Sequence, residues 1–497
     1  MVSPLIITDI LTLHFFFPII SILIVILLNL FGFSKEFNYL ISLFTSGFTM
    51  LLSLFFLYVM SDSSWGFNLP LLNKINIILY PTMNLEFIIG LDSLSIFFVL
   101  LTNLFIYLCM LHAFYNKSKK LDLLVYLFIL QWGVSGAFMI FDVLGFFIFF
   151  ETTLIPIYLL ILVFGSRERK VRASYMISLY TLFGSIFMFF NIIYLFSKIG
   201  TTNYFHLLMI QFTTLDSLFL WITFFIAFAA KIPMLPLHVW LPEAHVEAPT
   251  IGSVLLAVLL LKLGTYGILR FLLTFFSEAT VFYSTLINIF ALLSVLYTSL
   301  TAIRQLDIKK IIAYSSVGHM NVVLLGMLVF SPESLEGSVL QMLSHGIVSG
   351  ALFFCVGSFY IRYKVRSLEY FGGFMSTYPL LSVCFLIFSL ANISFPGTSN
   401  FIGEFMIMFG LFSHNSIMVA LASINMITGA AYTLWAYNRI AFGNIKDIYI
   451  KYHFDLTRIE FYLYFFLTVL LFAMGLFPNF FLEYLHDWVY TLPFLYY

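Results

Sequence analysis

Four ionisable residues sit inside runs that are otherwise apolar. They are Glu151 in FFIFFETTLIPIYLL (146–160), Lys231 in AAKIPMLPLHVW, Lys262 in LLLKLGTYG and Glu404 in PGTSNFIGEF. Two are acids and two are bases. A charge at the centre of a bilayer costs about 2.5–3.5 kcal/mol on insertion scales. Four of them would cost on the order of 10 kcal/mol, comparable to the whole stability of a typical protein. One reading is a set of static ion pairs that clasp helices together. The other is a set of titrating sites along an ion path, the default expectation for ionisable groups within a membrane.

The local sequence favours titration. Pro156 cannot donate to the carbonyl of Thr152, beside Glu151. Pro233 frees the carbonyl of Ala229 and Pro236 that of Ile232, on either side of Lys231. Freed carbonyls next to a charge call for water or another polar partner. Burial disfavours the charged form of both lysine and glutamate, and an opposite charge favours it. A Lys–Glu pair whose separation changes can therefore load and release a proton, with Lys231 the expected partner of Glu151. His319 in SSVGHMN and His345 in MLSHGIVSG lie in neighbouring apolar runs and extend the set to a proton relay. His238 and His245 flank the turn WLPEAH, where His238 is assigned a supporting role. No cysteine is near, no HExxH occurs, and no metal site is expected there. The sequence has no phosphate loop, GxGxxG or nucleophile elbow, so covalent chemistry and cofactor binding are not expected in this chain.

These residues need a membrane scaffold to hold them. The 497-residue chain is 62% hydrophobic and 9% charged, with mean hydropathy +1.05. Soluble domains carry about 25% charged residues. The apolar runs do not alternate with polar positions as barrel strands do, so the spans are helices. About 14 segments of roughly 20 residues fit, leaving no length for a soluble domain. The fold class is therefore all-α and integral to the membrane. The net charge of +0 implies no nucleic-acid partner. Cys109, Cys355 and Cys384 are far apart in apolar segments and read as buried small hydrophobes. The start, MVSPLIITDILTLHFFF, has neither an Arg-rich presequence nor a charged n-region, and the first helix is expected to remain. The abundance of Phe (63), Ile and Tyr fits an A/T-biased organellar genome.

Sorting the 23 Lys and Arg by connection places 18 in odd-numbered connections and 3 (Lys74, Lys198, Arg270) in even ones, with Lys231 and Lys262 inside spans. By the positive-inside rule the odd connections face the matrix or cytoplasm, and both termini face the opposite side. The seventh span carries Pro233 and Pro236; the twelfth, about 36 residues long, carries Pro396-Gly397. Both are expected to break into half-helices. Helices four to eight (121–275) and nine to thirteen (276–440) would be two inverted repeats, each broken at its fourth helix. Residues 1–120 would hold helices one to three, and 441–497 a loop and helix fourteen.

The run KIPMLPLHVWLPEAHVEAPTIGSVLLAVLLLKLGTYGILRF (231–271) resembles the antiporter-like membrane subunits of respiratory complex I, the NADH:ubiquinone oxidoreductase. DIKKIIAYSSVGHMN (307–321) and PGTSNFIGEF (396–405) match as well, and the resemblance spans roughly residues 85–440. It implies that Glu151 and Lys231 are the acid and base of the first half-channel, Lys262 the central lysine, His319 and His345 the relay, and Glu404 the terminal site. It implies a subunit of a proton-translocating NADH:ubiquinone reductase. NADH, flavin, iron–sulfur clusters and ubiquinone would be bound by partner subunits. The implied partners are the other complex I membrane subunits, above all the antiporter-like chains 2 and 5, together with membrane lipids. Those two siblings carry lysine where this chain has Glu404. The implied location is the mitochondrial inner membrane, with both termini on the intermembrane-space side. The alternatives are a subunit of a stand-alone multi-subunit cation/proton antiporter and a scaffold subunit whose buried ion pairs are static.

Overall fold

The computed structural model describes residues 4–61, 71–75, 87–115, 120–450 and 454–492. Lys117, Lys119 and Lys451, counted above among the basic residues of odd connections, lie outside the described residues. Among those described, helix dominates, as it must where no water satisfies the backbone. Twelve helices are long and apolar enough to cross a bilayer. The helix Ile308–Met327 and the broken pair Pro379–Asn392 and Ser399–His414 occupy the two remaining expected segments. Thr250–Phe275 and Pro332–Tyr363 are buried along their whole apolar windows, so these two helices, which carry Lys262 and His345, form the centre of the bundle.

The seventh and twelfth spans break where expected. The helix Thr214–Lys231 stops at Lys231 and resumes at Trp240–Glu247, with Pro233 and Pro236 between them. Pro379–Asn392 stops ahead of Pro396 and resumes at Ser399, and Gly397 in this break has φ +93°, a left-handed conformation favouring glycine. The fifth span is also interrupted, as Val143–Thr152 and Leu154–Phe164 meet at Thr153. Pro156 lies just beyond and supplies no N–H to the turn before it.

Three features differ from expectation. Leu71–Ile75 and Phe87–Leu91 pair as an antiparallel hairpin, with Asn73 opposite Ile89, so the described residues are not purely helical. The expected fourteenth helix, within 441–497, is two helices, Arg458–Leu476 and Asn479–Tyr490, because Pro478 cannot donate to the preceding turn. Arg270 and Lys309, assigned to connections, are buried.

Between the fourth and fifth spans Asp142 caps the helix Val143–Thr152. Its Oδ2 accepts the Gly145 N–H at 2.7 Å, and its Oδ1 accepts the Thr202 hydroxyl at 2.6 Å. Burial pushes this carboxyl up to about 6, and the hydrogen bonds from Thr202 and Gly145 oppose that rise.

Candidate functional site

Lys262 sits between two π-helical turns of its helix, Leu256–Leu260 and Ile268–Leu272. Such turns displace the i→i−4 ladder and are frequent at functional sites. Here the ammonium donates to the carbonyl of Ala257 at 2.6 Å, five residues back in the chain. Lys262 is 0% exposed. Its Nζ is 2.9 Å from His345 Nδ1. A charged ammonium only donates, so Nδ1 then accepts and the ring proton sits on Nε2. Gly264 brings the Lys262 helix against the helix that ends at Lys231, since a Cβ there would meet Phe228 O at 2.9 Å and Ile232 Cγ1 at 2.8 Å.

The chain of groups continues. The rings of His345 and His319 lie with centroids 5.7 Å apart, and His319 Nδ1 is 2.6 Å from Glu404 Oε1. Gln341 Nε2 donates to the same oxygen at 3.2 Å. Gly403 permits this approach, because a Cβ on it would strike Gln341 Cα at 2.9 Å. Lys262, His345, His319 and Glu404 are all buried, and they come from four different helices. Four of the residues expected from sequence thus line up as two hydrogen-bonded pairs, Lys262–His345 and His319–Glu404, with the facing histidine rings 5.7 Å apart and both Nε2 atoms unbonded.

Lys231 and Glu151 meet differently from expectation. Lys231 is 2% exposed, and its Nζ donates to the carbonyl of Phe150 at 2.8 Å and to Thr153 Oγ1 at 3.4 Å. It also lies 3.2 Å from the centroid of the Phe150 ring. It therefore grips the residues around Glu151. Among the described residues no ion pair joins the two charges, and Glu151 Oε1 is buried without a hydrogen-bond partner. The accepting carbonyl is that of Phe150, not the Thr152 carbonyl that Pro156 frees. The Ala229 carbonyl, expected to be open, accepts the Met234 N–H at 3.3 Å. The indole N–H of Trp240 is bonded to the carbonyl of Ala230 at 2.9 Å. Protein groups close much of this break. His238 lies within it, buried edge-on to Tyr297 at 5.5 Å.

Sequence reasoning missed several buried polar groups. Lys309 donates from Nζ to the Ala248 carbonyl at 2.8 Å and to Ser253 Oγ at 3.4 Å, one turn before Ala257 on the Lys262 helix. His245 is fully buried, stacked on Phe353 at 4.7 Å with neither ring nitrogen bonded. Glu247, two residues on, is buried as well. A signal existed: Lys309, Ser316 and His319 recur at helical spacing, placing Lys309 on the buried face. Lys310, by contrast, turns outward to Glu243 at 3.2 Å.

Residues 141–430 match the family model described as NADH:quinone oxidoreductase/Mrp antiporter, TM. The chain is 48% identical over 453 residues to NADH-ubiquinone oxidoreductase chain 4 of Marchantia polymorpha, covering 91% of each. It is 46% identical to the chain 4 protein of Arabidopsis thaliana, covering 83% of each. Its structure superposes on a chain of respiratory complex I from Thermus thermophilus with TM-score 0.87 and 28% identity, over 98% of this chain and 99% of that one. A chain of the Mrp complex from Dietzia sp. shares the fold, with TM-score 0.85 at 20% identity over 98% of each. On these grounds the chain belongs to the NADH:quinone oxidoreductase/Mrp antiporter membrane family, alongside the NADH-ubiquinone oxidoreductase chain 4 proteins.

Proposed function

We propose that this chain is a proton-translocating module of an NADH:quinone oxidoreductase. The observation that carries the reading is the buried series from Lys262 through His345 and His319 to Glu404, two hydrogen-bonded pairs whose histidine rings face each other at 5.7 Å. Lys262 is the central carrier, the two histidines hand the proton on, and Glu404 is the terminal site. Glu151 and Lys231 form the acid–base pair of the first half, with His238 in support. NADH, flavin, iron–sulfur clusters and ubiquinone belong to partner subunits, and the antiporter-like chains 2 and 5 are the nearest of these partners. Helices four to eight and nine to thirteen are two inverted halves, which the position of each broken helix supports. The energy link is electrostatic, since one charge moved through 100 mV costs about 2.3 kcal/mol.

Glu404→Gln tests the terminal role. A hydrogen bond involving a charged group contributes about 1.5–3 kcal/mol, so removing the charge should lower coupled proton pumping on the order of tenfold or more while the complex assembles. Pumping at the normal rate in assembled Glu404→Gln complex would reduce the His319–Glu404 contact to a clasp.

The protein resides in the mitochondrial inner membrane with both termini in the intermembrane space, an orientation supported by the basic split, 17 to 2 once the buried Lys309 and Arg270 are set aside. A protease-cleavable tag on either terminus should be cut from the intermembrane-space side only. Cleavage from the matrix side would reverse the assignment.

A further inference from the structure

The Lys262 helix carries a second buried base that the proton line does not use. Lys262, Tyr266 and Arg270 recur every four residues and share one face of the helix. The Arg270 side chain is 3% exposed, and its Nη1 is 2.6 Å from Asp92 Oδ2. Its guanidinium lies over the rings of Phe141 at 4.8 Å, Tyr266 at 5.3 Å and Tyr204 at 5.5 Å. Asp92 is itself fixed by the Ser95 N–H, which it accepts at 2.8 Å. Arg270 stands towards the end of the helix away from Lys309, on the route a proton would take if it left Lys262 along its own helix.

We propose that Arg270, anchored by Asp92, is an electrostatic plug that closes this direct route and sends the proton sideways to His345. The proposal rests on the proton role assigned to Lys262 above. Two features of the geometry carry it. The first is hydrogen-bond direction. The Tyr266 hydroxyl accepts Arg270 Nε–H at 3.0 Å and donates its proton to the Phe138 carbonyl at 3.0 Å. The group next in line from Lys262 is thus committed on both sides. On the lateral side, His345 Nδ1 faces Lys262 at 2.9 Å as an acceptor. The second is charge. A guanidinium stays protonated in proteins and cannot pass a proton on by releasing one. Asp92 meets the guanidinium at Nη1, whereas Tyr266 meets it at Nε. Eight residues of helix separate Arg270 from Lys262 by about 12 Å. Asp92 offsets that charge at long range, so the barrier is local: a proton arriving at Tyr266 meets the fixed cation that already donates to its hydroxyl.

The test is the passive proton permeability of liposomes holding the assembled complex, measured without NADH as the decay of an imposed pH gradient reported by an entrapped dye. Arg270→Met should speed the decay relative to the unmodified complex. Arg270→Lys, which keeps a charge, should stay as tight as the unmodified complex. The double variant Arg270→Met with Lys262→Met should be tight again, because the leak passes through Lys262. Arg270→Gln retains a donor for Tyr266 and serves if the Met variant fails to assemble; it should leak as well. Tight Arg270→Met and Arg270→Gln complexes would overturn the plug. So would a leak that persists in the double variant, or one of equal size in Arg270→Lys, which would mark Arg270 as packing only. If Lys262→Met alone kept normal pumping, the parent reading would fail, and the contrast between Arg270→Met and Arg270→Lys would still report on the plug.

Discussion

Lys262→Met is expected to leave the complex assembled and to abolish both proton pumping and the quinone reduction coupled to it. Methionine preserves the length of the side chain and removes its charge. The substitution leaves the Ala257 carbonyl and His345 Nδ1 without the donor they share at 2.6 Å and 2.9 Å. Each unsatisfied buried group costs about 1–3 kcal/mol. Against that, a central charge no longer has to be inserted, a relief of about 2.5–3.5 kcal/mol. The two effects are of similar size, so assembly should survive while the carrier is lost. Lys262→Arg sharpens the result. A guanidinium keeps the charge and the donors but does not release its proton. If Lys262 carries protons, the Arg variant should pump as poorly as the Met variant. If Lys262 only clasps His345 to the Ala257 carbonyl, Arg should come close to normal. Normal pumping in assembled Lys262→Arg complex would therefore overturn the carrier role.

The central line was legible in the sequence because insertion cost makes charges within apolar runs conspicuous. Lys262 and Glu404 each interrupt an otherwise apolar segment, and His319 and His345 occupy neighbouring ones. The breaks after Lys231 and before Ser399 were legible because proline removes a donor wherever it stands. What remained hidden depends on rotation and register between helices. Lys309 stands in the first turn of its helix beside Lys310; the helical spacing to Ser316 and His319 gives its face, but its partners, the Ala248 carbonyl and Ser253, come only with the packing. The π-helical turns around Lys262 carry no proline or glycine signature that sets them apart from regular helix; they follow from how a long, wholly buried helix fits its neighbours. Arg270 lies near the end of an apolar run, and such positions ordinarily hold interfacial charges. Asp92, 178 positions earlier in the chain, is what holds it inside, and that pairing belongs to the tertiary structure. The atoms that meet were hidden for the same reason. Glu404 binds His319, and Lys231, within electrostatic reach of Glu151 as expected, hydrogen-bonds the Phe150 carbonyl and Thr153 Oγ1 rather than the carboxylate.

That separation sets the terms for Glu151→Gln. Lys231 is held by the Phe150 carbonyl and Thr153 Oγ1, so the substitution breaks no direct bond to it. Assembly should be preserved. The carboxylate of Glu151 nevertheless stands beside the backbone that Lys231 grips. A side-chain motion at this point would bring the ammonium onto Glu151 Oε1, which has no hydrogen-bond partner now. A pair that alternates between carbonyl-bound and carboxylate-bound lysine can load and unload a proton. Glu151→Gln removes the second position, and pumping should fall on the order of tenfold, the effect of losing a charge-assisted bond of about 1.5–3 kcal/mol. Glu151→Asp keeps the charge with a shorter reach and should retain part of the activity. The double variant Glu151→Gln with Lys231→Met decides between the readings. A static pair removed as a unit leaves no uncompensated buried charge and should restore normal pumping. A proton-carrying pair should yield a complex that assembles at least as well as Glu151→Gln and still fails to pump, and this second outcome is expected. Equal, undiminished pumping in the Gln and Asp variants would remove Glu151 from the path and leave Lys231 with its backbone partners alone.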